Sequence, residues 1–123
     1  MCYEKVKNMN KRAIGESYEK EAGVYLEKQG YQIIQYNYWC KRGEIDIIAQ
    51  HEQTLVFCEV KYRKDSKRGH PLETVTKRKQ QTIIRCALYY LTEKHMDRFD
   101  VRFDVIGILG TEIEWVQGAF ECG

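Results

Sequence analysis

Three residues in the middle of the chain have the types and spacing to do chemistry. They are Asp46 in Gly43-Glu44-Ile45-Asp46-Ile47-Ile48-Ala49, and Glu59 with Lys61 in Phe57-Cys58-Glu59-Val60-Lys61-Tyr62-Arg63. Both runs read as β-strands, and the short polar segment His51-Glu52-Gln53-Thr54 between them predicts an antiparallel hairpin. Side chains alternate along a strand, so Leu55, Phe57, Glu59, Lys61 and Arg63 share one face, and Val56, Cys58, Val60 and Tyr62 share a core-like other. A turn about the Glu52–Gln53 bond sets Asp46 directly opposite Glu59. Opposed like charges, with Cβ atoms only ~4.5–5.5 Å apart, destabilise a strand pair and call for positive charge. Lys61 supplies part of it. Two carboxylates on neighbouring strands are also the oxygen donors that a hard divalent cation such as Mg2+ prefers, with the Val60 carbonyl or a water completing part of the shell. The plain alternative is a solvated strand face on which Glu59 and Lys61 form a surface pair worth under ~1 kcal/mol.

The hairpin needs elements around it. Ile14, Tyr18, Ala22, Tyr25 and Leu26 recur at helical spacing and predict an amphipathic helix over about residues 13–29, stopped by Gly30. Tyr31 to Tyr38 predicts a first strand, and the hairpin strands follow as Glu44 to Ala49 and Leu55 to Arg63. The polar stretch Asp65 to Pro71 is expected to be a loop, and a second helix is expected from Leu72 to about Thr92, basic in its first half and apolar in its second. Arg98 to Ile108 alternates as a strand, and Glu112 to Val116 adds a short last one. The order αβββαβ, with a further β, describes an α/β fold: a mixed sheet flanked by helices.

The chain has 123 residues, enough for one domain with a single core, and residues 1–10 read as a flexible arm. Its composition, 43% hydrophobic and 31% charged with one proline, excludes a disordered or collagen-like chain. No apolar run approaches the ~20 residues of a membrane helix, and the expected location is cytoplasmic, with no membrane partner. Five widely spaced cysteines without a Cys-x-x-Cys predict neither a disulfide framework nor a zinc site, and reduced thiols are the default. The three histidines are isolated, with no metalloprotease spacing. Charge is uneven. Between Lys61 and Arg85 nine Lys/Arg stand against two acids, a local +7 in a chain of net +2. Such a segment fits a polyanion-facing surface, although charged helices are more often simply solvated.

These residues, with Gly15-Glu16, Ala22, Tyr25-Leu26, Gly30-Tyr31, Asn37, Gly69, Pro71, Lys77, Ala87, Arg102-Phe103-Asp104-Val105 and Ala119-Phe120, resemble the YraN-like family of small bacterial proteins. The resemblance runs from Lys11 onward. That family is similar to the PD-(D/E)-x-K nuclease superfamily, and distantly to archaeal Holliday-junction resolvases. The likeness implies a restriction-endonuclease-like αβββαβ core and a single nuclease-like domain over residues 1–123. Position by position, Asp46 matches the acid of the hairpin's first strand, and Glu59 and Lys61 match the (D/E)-x-K pair. Glu16 matches an acid of the first helix, so the implied metal ligands are Asp46, Glu59 and Glu16. The helical wheel itself places Glu16 about 150° from the apolar face, as a solvated glutamate would be. Cys58 stands where Val is more usual. Glu44 shares the face of Asp46 and is read as solvated.

The implied activity is cleavage of phosphodiesters dependent on one or two Mg2+ or Mn2+ ions, with Lys61 orienting the attacking water or stabilising the transition state. Arg42, Arg63, Lys64, Lys67, Arg68, Lys77 and Lys79 would hold flanking phosphates. Phosphate contacts carry no sequence information, so the expected partner is nucleic acid, DNA foremost, selected by structure. Aromatic residues such as Trp39 are candidates for stacking on unpaired bases, although core packing accounts more simply for nine tyrosines. A different class of reading keeps the fold and drops turnover, leaving a nucleic-acid-binding or scaffold protein with an inherited acidic pocket. Because resolvase-like relatives are often dimers, a homodimer through an edge strand near Trp115 is a further expectation.

Overall fold

The computed structural model describes the backbone of residues 3–67 and 69–122, and side chains from Gly15 onward apart from Arg68, Glu73 and Thr74. Helix α1 (Tyr3–Lys28) is followed by strands β1 (Gln32–Cys40), β2 (Gly43–His51) and β3 (Thr54–Arg63). A 3-10 turn (Pro71–Thr74) leads into helix α2 (Lys77–Glu93), then β4 (Asp100–Leu109) and β5 (Glu112–Phe120). Helix α1 begins at Tyr3, within the stretch read from sequence as a flexible arm, where the side chains lie outside the described residues. No helix is long and apolar enough to cross a membrane.

The five strands form one mixed sheet in the order β1-β2-β3-β4-β5. β1, β2 and β3 make an antiparallel meander, β3 pairs with β4 in parallel, and β4 pairs with β5 antiparallel. A parallel pair needs a crossover, and α2 supplies it. The expected αβββαβ core is therefore present, with its additional strand. The hairpin register is also as expected: His51 pairs with Thr54, and the ladder runs on to Ile47 opposite Cys58.

Each helix covers one face of the sheet. Ala22 and Leu26 of α1 pack with Ile47, Ala49, Val56, Cys58, Ile106 and Ile108. Ile83, Cys86, Ala87 and Tyr90 of α2 pack with Ile48, Leu55, Phe57, Phe103 and Val105. Gly23 allows α1 to approach, because a Cβ there would collide with the Tyr36 ring. The second helix starts later than apolar periodicity predicts. Pro71 opens a separate 3-10 turn, and the Thr76 hydroxyl caps α2 by accepting the Lys79 N–H at 3.2 Å. Leu72 and Val75, read as helical positions, instead pack on the α2-side core from that turn.

Two further features depart from expectation or escape it. Cys40 of β1 and Cys86 of α2 are disulfide-bonded, which corrects the reading of these thiols as reduced; both are held within the α2-side core, where the strand end meets the helix. Asp104 of β4 is fully buried and accepts from Arg102 Nε and Nη2 (both 2.9 Å), Trp115 Nε1 (2.8 Å) and the Gly118 N–H (3.0 Å). Gly118 reaches it from a left-handed conformation, φ 61°, next to a register shift between β4 and β5. Arg102 extends the network to the Tyr31 hydroxyl at 2.9 Å. This locks β5 and the start of β1 onto β4. Removing one partner of such a buried, hydrogen-bonded charge strands the others, so Asp104→Ala is expected to cost about 3 kcal/mol. Urea unfolding measures it, and a loss below ~1 kcal/mol would show that the network is incidental.

Candidate functional site

The site forms where the β2–β3 ladder gives out. Tyr36 and Ile47 are paired and pack on the α1 side, whereas the next pair, Tyr38 and Ile45, packs on the α2 side. Facing therefore switches at the positions between them, Asn37 and Asp46, and Asn37 takes φ 53° there. Freed from strict alternation, the Asp46 carboxylate turns to the edge of β3 and accepts the Val60 N–H at 2.8 Å. It occupies the place of a backbone acceptor one step beyond the last laddered pair. In an extended strand the N–H and C=O of one residue point to the same edge, so the Val60 carbonyl faces the same gap.

Glu59 lies on the other side of that gap and is 3% exposed. The solvated strand face considered from sequence is thus excluded, because α2 covers it. Lys61 Nζ lies 3.3 Å from Glu59 Oε1, and Lys79 Nζ, from the first turn of α2, lies 3.9 Å from the same oxygen. Glu59 Oε2 is shut off from solvent and has no hydrogen-bond partner among the described residues. Asp46 is 7% exposed, and among the described residues no lysine acts on it. Burial first, and the charge of Glu59 second, push its carboxyl from an ordinary 3.8 up to about 8, against the pull of the Val60 N–H.

Glu19, not singled out from sequence, converges with Asp46 and Glu44, and Glu59 stands outside that set. The Glu19 carboxylate, with those of Glu44 and Asp46, offers ligand oxygens that all lie within 4.8 Å of one another. Burial raises the Glu19 carboxyl as well, partly offset by the Asn37 side chain. Tyr18 fixes the helix here by stacking on Tyr62 of β3 with ring centroids 3.7 Å apart. Glu16, the helix acid implied by the resemblance, is exposed and lines an adjoining cavity of about 580 Å³ with Gly15, Glu19, Asn37, Trp39 and Glu44. It borders the converging set without belonging to it. The signal for Glu19 was present: it lies three, four and seven residues before the buried Ala22, Gly23 and Leu26, on their stripe. A search for apolar periodicity passes over a carboxylate at such a position. Glu44, read as solvated, is half-buried with one carboxylate oxygen sealed from solvent, because it faces α1 instead of open water.

The chain matches the "Uncharacterised protein family UPF0102" over residues 18–108, which include Glu19, Asp46, Glu59, Lys61 and Lys79. It belongs to that family. A UPF0102 protein of Fusobacterium nucleatum is 42% identical over 109 residues, covering 89% of this chain and 92% of the relative. One of Lachnoclostridium phytofermentans is 45% identical over 114 residues (92% and 97%), and one of Vibrio parahaemolyticus 44% over 117 (93% and 97%). Membership of UPF0102 agrees with the YraN-like resemblance of the motifs.

The basic residues divide by position. Arg42 is exposed in the β1–β2 turn, Lys64 and Lys67 are exposed after β3, and Lys77 is exposed at the start of α2. Arg63, half-buried at the end of β3, donates to the Tyr62 carbonyl at 3.4 Å. Lys79 turns inward to Glu59, and Arg68 lies outside the described residues.

The raised Asp46 carboxyl makes a pH prediction. Between an unfolded value near 3.8 and a folded value of about 8, the folded chain binds a proton there that the unfolded chain has lost. The contribution to stability is complete below the unfolded value and is lost as pH rises through the folded one. The Tm of the metal-free protein should fall across that window, and Asp46→Asn should flatten the fall. Equal slopes in the two proteins would refute the assignment.

Proposed function

We propose that this UPF0102 protein is a metal-dependent nuclease that hydrolyses phosphodiester bonds of DNA, selecting substrate by structure instead of base sequence. The observation that carries the reading is buried Glu59, one carboxylate oxygen of which has no partner among the described residues, next to Asp46 and the carboxylates of Glu19 and Glu44 that converge on it. Burying carboxylates costs several kcal/mol each, and a purely structural site would satisfy every oxygen, as Asp104 does. Strongly perturbed acids in a cleft mark functional sites more often than structural ones.

The donors are all hard oxygens: Asp46, Glu59, the Val60 carbonyl, and Glu19 and Glu44 beside them. That set fits Mg2+ or Mn2+ and disfavours soft-ligand metals. When bound, such an ion supplies Lewis-acid polarisation of the phosphate and neutralises charge. The chain's own residues do the rest. Asp46, held to the Val60 N–H, sets its carboxylate against those of Glu19 and Glu44. Lys61 brings an ammonium to the reacting centre, where it can orient the attacking water and stabilise charge growing on the phosphate. Lys79 shares Glu59 Oε1, so Glu59 remains neutralised when Lys61 turns to the substrate. Arg42, Arg63, Lys64, Lys67 and Lys77 provide phosphate contacts around the gap, with Arg68 beside them in sequence. These position a strand without reading its bases.

The test is cleavage of branched, flapped and single-stranded DNA in Mg2+, in Mn2+ and in EDTA. Metal-dependent cleavage is expected, with Glu59→Gln and Lys61→Ala each lowering the rate on the order of 100-fold while salt-sensitive binding persists. Binding without cleavage on every substrate would favour a DNA-binding scaffold on the same fold. Absence of salt-sensitive binding would remove both readings.

A further inference from the structure

Trp39 is the most exposed large hydrophobic side chain among the described residues, 63% accessible, and it stands on β1, an edge strand of the sheet. An exposed aromatic on a sheet edge is an association hazard that proteins ordinarily remove. The other tryptophan shows the ordinary solution: Trp115 packs edge-on against Tyr25 and Tyr31 and donates its N–H to Asp104. Trp39 has its own setting. It is the register partner of Glu44, and it lines the 580 Å³ cavity with Glu19, Glu44 and Asn37. Cross-strand neighbours stand ~5 Å apart, so the indole rises beside the converging carboxylates. Lys41 and Arg42, both exposed, occupy the turn that immediately follows. An exposed ring, cations next to it and a cavity behind it are the parts from which single-strand sites are built. The Cys40–Cys86 bond anchors the strand end that carries the ring.

We infer that Trp39 is a stacking platform for one unpaired nucleobase, which it holds so that the adjoining phosphate lies at the carboxylate cluster, with Lys41 and Arg42 on the neighbouring phosphates. The inference rests on the phosphodiester reading of that cluster and narrows its substrate class to strands with an unpaired nucleotide at the scissile position: ends, flaps and junctions. A base within a duplex has both faces covered by its neighbours and cannot offer one to the indole. The platform is indifferent to base identity, because every base has a π-face.

Binding is measured in EDTA, so turnover plays no part. A short oligothymidylate should quench intrinsic fluorescence in the wild type, a blunt duplex of equal length should quench it far less, and Trp39→Phe should abolish the quench. By anisotropy of a labelled strand, Trp39→Ala should weaken binding roughly tenfold and Trp39→Phe by less, since Phe keeps a stacking face. Val101→Ala, at an exposed apolar side chain on β4, should bind as the wild type does. Equal quenching by single strand and duplex, unchanged affinity in Trp39→Ala, or equal losses in Trp39→Ala and Val101→Ala would each overturn the platform. A protein that cleaves with metal while Trp39→Ala binds normally would lose the platform and keep the nuclease reading. Trp39-dependent binding by a protein that never cleaves would do the reverse.

Discussion

Two carboxylates buried at the mouth of one strand seam constrain everything around them. Glu59 is buried, and two ammonium groups approach the same oxygen of its carboxylate. Burial and the charge of Glu59 push the Asp46 carboxyl up to about 8, against the pull of the Val60 N–H. The approach of two lysines also sets a demand on the fold. One lysine comes from the same strand as Glu59, but the other must come from α2, so the crossover helix has to begin where its first turn overhangs β3. The Thr76 cap puts it there. Three basic residues in that turn, Lys77, Arg78 and Lys79, oppose the positive end of the helix dipole, an arrangement that local stability does not favour and that Glu59 offsets at Lys79.

The opposite half of the sheet is built by the contrary rule. Asp104 is as buried as Glu59, yet its carboxylate receives four hydrogen bonds, and its cation, Arg102, is engaged on both sides. The chain thus contains two buried acid sites that differ in one respect, the satisfaction of their oxygens. That contrast within a single sheet separates the two sites better than burial alone, since both are buried and only at Glu59 does a carboxylate oxygen lack a partner among the described residues.

Much of this was legible in the sequence because it depends on short-range periodicity. The hairpin register follows from a two-residue turn, and the shared face of Glu59 and Lys61 from a period of two. The parts that escaped depend on tertiary contact. Glu19 joins the site only because α1 docks by Ala22, Gly23 and Leu26, which turns its stripe, carboxylate included, toward β2. Glu44 looks like a surface acid until that helix covers it. The Cys40–Cys86 bond joins residues 46 apart in sequence that no local pattern relates. The onset of α2 was misplaced because Leu72 and Val75 have helical spacing but serve a 3-10 turn, where the Pro71 geometry outweighs periodicity.

The switch of facing at Asn37 and Asp46 links these observations. A regular β1–β2 ladder would hold Asp46 in strict alternation and deny it the edge of β3. By breaking alternation between the Tyr36–Ile47 and Tyr38–Ile45 pairs, the chain rotates Asp46 into the seam and sends Glu44 toward α1 and Glu19. Trp39, two residues beyond Asn37, is carried to the same side as Glu44, at the mouth of the cavity they share. The positive φ of Asn37 costs of order 1 kcal/mol for a residue with a side chain, although Asn tolerates it better than most. Substituting a residue that resists this conformation should therefore disturb Trp39, two residues along the same strand, together with Asp46 and Glu44 on the neighbouring one. Acid cluster and exposed indole are, in this sense, products of a single backbone irregularity.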